Sequence, residues 1–196
     1  MRATMKKTTW SKAIALVIML LGMGTTSCSD DPNSLDPAWE ALQDGDYASA
    51  HARFAELALT DTTGGAYVGL GWVTLLMSVD SLEASDRYFT LVAEDSIDDG
   101  YAGWSVTKWA LKDYASVIPI GDVVINHDPF YVFTYESSID INDIILHQAY
   151  SYYHMNQYSG CIVKIQALDP SFTATPNQSG IATLLLSKLE ALAKIY

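Results

Sequence analysis

Two histidines seven residues apart, His147 and His154, with Asp140 and Asp143 just upstream, are the residues of this chain best spaced for metal chemistry. Seven residues is close to two helical turns, so a helix over this stretch would put both imidazoles on one face. Zinc takes three or four ligands from the protein, and no further His or Cys stands at zinc spacing, so no metal is assigned. The run Glu94-Asp95-Ser96-Ile97-Asp98-Asp99-Gly100 is rich in oxygen but places Ile97 where a calcium loop needs a ligand. A nucleophile elbow, a phosphate loop and a dinucleotide fingerprint are all missing from the sequence. The scattered carboxylates read as helix caps and solvated links. No catalytic residue and no cofactor is assigned, and the chain is expected not to be an enzyme.

The remaining reactive side chains are two cysteines, Cys28 and Cys161. Cys28 follows a basic start (Arg2, Lys6, Lys7, Lys12), an 11-residue apolar run from Ala13 to Met23, and the small residues Gly24-Thr25-Thr26-Ser27. That order describes a secretory signal peptide over residues 1–27. The apolar run is too short to stay in a bilayer as a spanning helix, which takes about 20 residues. A cysteine directly after the small residues resembles a bacterial lipobox, although Thr25 stands where such motifs usually have Leu. The resemblance implies acylation of Cys28, with 28–35 as a polar tether; the alternative is a soluble secreted protein cut near Ser27. With Cys28 acylated, Cys161 has no partner, and it is read as a small buried hydrophobe.

Removing the four basic residues of the leader from the chain's 11 leaves 7 against 23 acidic ones, a net charge near −16 over 169 residues. That balance excludes nucleic acid and anionic lipid surfaces as partners, since both require basic patches. The length suits one domain with a core of its own.

The elements that carry these residues show a 34-residue echo. Ala50, Phe54 and Leu57 return as Ala84, Tyr88 and Leu91; Ala66-Tyr67-x-Gly69 returns as Gly100-Tyr101-x-Gly103; Leu75 returns as Trp109. A fixed period of this length marks stacked two-helix units. The first unit is expected to start with Asp36 as N-cap and Pro37 at the first helical position, and to turn at Asp44-Gly45-Asp46. The second turns near Val79-Asp80. The third starts at Tyr101 and turns at Lys112-Asp113-Tyr114, and its second helix is weakened by Pro119 and Gly121. An aromatic and β-branched insertion covers residues 130–138. A fourth pair follows over 140–155 and 158–168. Residues 176–196 then form an amphipathic capping helix with Ile181, Leu184, Leu185, Leu189, Leu192 and Ile195 on its apolar side.

On these residues the chain resembles the tetratricopeptide-repeat family over roughly 36–175. The segment Tyr67-Val68-Gly69-Leu70-Gly71-Trp72 is similar to repeats of bacterial envelope lipoproteins. The fold class expected is therefore all-α, a helical-hairpin solenoid of about four pairs with a C-terminal cap. The resemblance implies a concave face lined by the first helix of each unit: Trp39, Leu42 and Gln43; Gly69, Val73, Leu76 and Met77; Gly103, Thr107 and Leu111; Leu146, Tyr150, Tyr153 and His154. Gly69 and Gly103 have two readings, an open groove or close helix packing. The function implied is a lipid-anchored scaffold of the outer membrane that holds an envelope protein or peptide, on an undecided face of that membrane. The alternative is a small-ligand or nutrient-binding lipoprotein working with a transporter.

Overall fold

The computed structural model describes residues 34–78, 81–92 and 98–196. Nine helices lie within them: α1 Asp36–Gln43, α2 Tyr47–Leu57, α3 Gly65–Met77, α4 Leu82–Val92, α5 Asp98–Ala110, α6 Tyr114–His127, α7 Ile141–His154, α8 Tyr158–Leu168 and α9 Ile181–Leu192. Among the described residues there is no strand, only an isolated antiparallel bridge between Val132 and Asp140. None of these helices is long and apolar enough to cross a membrane. Each helix packs against the next, and α1–α3, α3–α5, α5–α7 and α7–α9 also touch. No comparable contact joins one even-numbered helix to the next. The odd helices thus form a continuous row, backed by the even ones.

Three of the helix pairs turn in one way, for a local reason. Gly45, Lys112 and Asn156 each take a positive φ (76°, 62° and 57°), and the following residue caps the next helix with φ near −82° to −90° and ψ near 65°. The amide of that residue donates back to the preceding helix: Asp46 to Ala41 O, Asp113 to Lys108 O and Gln157 to Tyr152 O, at 2.8–2.9 Å. A tyrosine opens the helix after each turn: Tyr47, Tyr114 and Tyr158. Lys112 thus takes the place of Gly45 without altering the turn.

Two apolar clusters make the core. One joins α1–α6 and the 131–133 segment around Trp39, Phe54, Trp72, Phe89 and Phe133. The other joins α7–α9 around Leu146, Cys161, Ile165, Leu185 and Leu189. Ala50 and Phe54 of α2 are fully buried, and their counterparts in α4 are Ser85 and Phe89, one residue beyond the Ala84 and Tyr88 expected from the 34-residue echo. The shift is satisfied chemically, since Ser85 Oγ donates to Gly71 O at 2.9 Å and pairs with Thr107 Oγ1 at 3.0 Å. Cys161 is buried at the site equivalent to Ala50, as expected.

Other boundaries move. Asp36 is the first residue of α1 rather than its cap; Leu35 precedes it, and the Asp36 amide donates to Ser34 Oγ at 3.1 Å. The third pair begins at Asp98, because Asp98 and Asp99 favour the positive end of α5. Pro119 lies inside α6, which runs through without interruption. Gly121, two residues on, lets α7 approach: a Cβ there would stand 2.8 Å from Gln148 Nε2 and 3.0 Å from Ile144 Cγ2. Gln148 donates to Ile118 O (2.8 Å) and Asp122 Oδ1 (3.0 Å), bracing α6 on either side of the proline and glycine. At the C-terminus α9 starts at Ile181, and Ile181, Leu185, Leu189 and Leu192 are buried, whereas Leu184 and Ile195 are exposed.

Candidate functional site

The row of odd helices divides into a covered half and an open half. Residues 128–140, which link α6 to α7, form a strap across α1, α3 and α5. Extended backbone sends alternate side chains to opposite sides. At 131–133 of the strap, Tyr131 and Phe133 are buried and Val132 faces outward; turns flank this stretch, leaving Phe130 and Thr134 exposed and Tyr135 half-buried. The Phe133 ring stacks on Trp72 (4.0 Å between centroids, 14° between planes) and meets Trp39 edge-on at 6.0 Å. Tyr135 stacks on Trp39 at 4.3 Å and 5°. The Tyr131 hydroxyl donates to Asp99 Oδ1 at 2.9 Å, and the Trp72 indole donates to Asp99 O, also at 2.9 Å. Burial raises the Asp99 carboxyl above the usual carboxylate range against the Tyr131 bond, with the Asp98 charge adding to the rise; burial likewise raises the Tyr131 phenol.

The residues expected to line the groove scatter accordingly. Trp39, Leu42 and Val73 belong to the first core and Leu146 to the second; Leu76 packs partly buried against the first. Thr107 is buried and donates to Gly103 O at 2.8 Å. Gln43 and Met77 are exposed, and Leu111 is half-buried just beyond the end of α5. Gly69 and Gly103 have a packing cause. A Cβ on Gly69 would overlap the Phe54 ring, and one on Gly103 would overlap the Phe89 ring and approach Trp72 Cε2 to 2.9 Å. The space expected above the two glycines is filled by phenylalanine.

The open half is built on α7. Its residues His147, Tyr150 and His154 follow the i, i+3, i+7 spacing of one helical face, and Tyr153 flanks them. His147 stacks on Trp109 of α5 (4.2 Å, 21°) and His154 on Tyr114 of α6 (4.4 Å, 10°). Tyr153 meets His154 edge-on at 5.6 Å and lies beside Tyr158 of α8 at 6.2 Å. Tyr150 and Tyr153 are half-buried and His154 is exposed. His147 Nδ1 and Trp109 Nε1 are shielded from solvent and have no hydrogen-bond partner. Burial lowers the His147 pKa from 6.5 to about 4, so the ring is neutral at pH 7. The two imidazoles thus belong to one aromatic row, joined through Tyr150, whose ring centroid lies 6.5 Å from those of both Trp109 and His154. Asp140 and Asp143, upstream of them, form a capping box: the Asp140 carboxylate accepts from the Asn142 amide at 2.7 Å, and the Asp143 carboxylate accepts from the Asp140 amide at 2.8 Å.

Among the described residues no three His, Cys, Asp or Glu side chains are grouped to hold a metal ion. Cys161 is buried, with its thiol pushed up to about 12 by desolvation, so it carries no thiolate near neutral pH. Cys28 and the acidic stretch 93–97 lie outside the described residues. Reading the chain by repeats misses Trp109 and Tyr114 as partners of the α7 face, and His147 as a member of it. It also leaves out Tyr131, Phe133 and Tyr135, whose two-residue alternation is the signal that marks the inner side of the strap. Comparison with protein-family models, with curated proteins and with solved structures finds no match to the chain.

Proposed function

We propose that this protein is a non-catalytic adaptor, anchored by lipid at Cys28 in the bacterial outer membrane, that binds an envelope protein or peptide. The fold proposed for it is a tetratricopeptide-like solenoid in which α1–α2, α3–α4, α5–α6 and α7–α8 are the four hairpins and α9 is the cap. Contacts along the odd row, without matching contacts between even helices, support this curvature. A cap needs one polar side; Thr183, Ser187 and Glu190 of α9 are exposed and support that role, while Leu184 and Leu186 of the same helix are exposed beside them. The observation that carries the function is the aromatic face of α7, where Tyr150, Tyr153 and His154 keep accessible ring surface on a rigid helix. Aromatic residues on rigid elements are favoured anchors at protein interfaces, because much area is covered at little entropic cost.

The binding surface proposed is thus narrower than the one the repeats imply, because the strap covers the row from α1 to α5. A nutrient-binding role has less support, since Phe54 and Phe89 fill the space in which a small ligand would sit near Gly69 and Gly103. Affinity capture from detergent-solubilised envelopes tests the reading. A specific protein should be recovered with the native chain and lost with Tyr150→Ala/Tyr153→Ala. Recovery equal to a tag-only control refutes it. Intact mass spectrometry tests the anchor separately, through the lipid mass on a mature chain starting at Cys28.

A further inference from the structure

Tyr150 and His154 stand one turn apart on α7, where residues four apart share a face. Their rings are near-parallel, 23° between planes, with centroids 6.5 Å apart. Atoms in contact lie about 3.5 Å from one another, so this separation is what one planar group between two rings requires. Tyr114 stacks on His154 at 4.4 Å and 10°, which fixes the plane of the imidazole. Trp109 flanks Tyr150 at 6.5 Å, and Tyr153 meets His154 edge-on at 5.6 Å. Because His154 is exposed and Tyr150 half-buried, the space between them is reached from water.

Charge selects what enters it. The chain is strongly acidic, and α9, packed on α7, brings Glu190 towards Tyr150. Burial and then the Glu190 charge raise the Tyr150 phenol. The chain's own lysines are engaged elsewhere. Among the described residues, Lys108 lies over Trp104 at 5.8 Å and Lys188 over Phe172 at 6.0 Å, and neither of those rings belongs to the row. Lys108, Lys164 and Lys188 are also held by aspartates. Tyr150 and His154 thus offer ring faces beside a carboxylate, with no lysine of this chain stacked on them.

We propose that the space between Tyr150 and His154 takes the guanidinium of an arginine on the partner protein. A guanidinium is planar, permanently charged and weakly hydrated, and it stacks on aromatic faces. An ammonium has the charge but not the plane, so lysine is the poorer occupant. The proposal rests on the adaptor reading of the α7 face and names the chemistry that this face selects.

The probe is the synthetic peptide Gly-Arg-Gly-Arg-Gly, with counterparts carrying lysine or citrulline in place of arginine. Each is titrated into the full chain at low salt, followed by calorimetry and by NMR of the His154 ring protons. The arginine peptide is expected to bind saturably and to shift those signals, with the lysine and citrulline peptides weaker by about fivefold or more. Tyr150→Leu removes one ring without changing the net charge and should weaken the arginine peptide by a similar factor; Glu190→Gln should weaken it as well. Should Tyr150→Leu fail to fold, His154→Leu at an exposed position takes its place. Equal affinity for the lysine peptide, or equal affinity of the ring variant, shows that surface acidity alone holds the probe and overturns the proposal. So does an arginine peptide that does not bind. The probe needs no envelope partner, so the two readings fail separately: a partner captured through Tyr150 and Tyr153, with no preference for the arginine peptide, keeps the adaptor and removes the arginine.

Discussion

His147 makes the stability of this protein depend on pH between about 4 and 6.5. In the unfolded chain its imidazole takes up a proton near pH 6.5, whereas in the folded protein burial beside Trp109 delays protonation to about pH 4. The unfolded state therefore binds more protons between these values. The stability contributed by the neutral ring is full above about pH 6.5 and falls as the pH drops towards 4. The separation corresponds to roughly 3 kcal/mol at its limit, of which about 2 kcal/mol is lost between pH 7 and pH 5. For a domain of this size, 2 kcal/mol lowers the melting temperature by roughly 4–8 °C. Asp99 and Asp143, raised chiefly by burial, act in the opposite direction, because protonation above the usual carboxylate range favours the folded state. Asp61 and Asp169, both lowered, lose their contribution only as the pH falls through and below the usual carboxylate range. Urea unfolding at pH 7 and pH 5, followed by tryptophan emission, should show the loss in the native chain. His147→Phe keeps a ring on Trp109 but cannot titrate, so most of the difference between the two pH values should vanish. An unchanged pH dependence in that variant, or a folded-state His147 that titrates near 6.5 by NMR, would refute the reasoning.

Phe133→Ala removes a fully buried ring stacked on Trp72, and should cost about 3–5 kcal/mol in chemical denaturation. Gly103→Ala distinguishes packing from an open groove. Alanine improves helix propensity by about 1 kcal/mol, but overlap with the buried Phe89 ring should outweigh this and give net destabilisation of about 1 kcal/mol or more; a stabilised variant would restore the open-groove reading. Cys161 should resist alkylation by iodoacetamide at pH 8 in native buffer and react within minutes in denaturant.

Helical content, the turns at Gly45-Asp46 and Lys112-Asp113, and the buried small residue of the first and fourth units were legible in the sequence because they rest on local chemistry; the turn expected near Val79-Asp80 lies outside the described residues. Gly45-Asp46-Tyr47 and Lys112-Asp113-Tyr114 make one turn through the same backbone bond, and Ala50 and Cys161 are small and apolar wherever the chain goes. The register of α4 was not legible. A repeat defined by period carries Ala50 to Ala84, and only the three-dimensional fit of Phe89 against Gly71 and Gly103 puts Ser85 at the crossing instead. The candidate site divides in the same way. The sequence by itself determined that α7 presents Tyr150, Tyr153 and His154 near one another, since spacing along a helix is a local property. That Trp39 and Val73 lie in a core, and that Tyr131, Phe133 and Tyr135 cover the row beside them, was decided by tertiary structure alone. Ring stacking between residues 60 to 100 positions apart has no counterpart in local periodicity, because it depends on where the strap returns over α1 and α3.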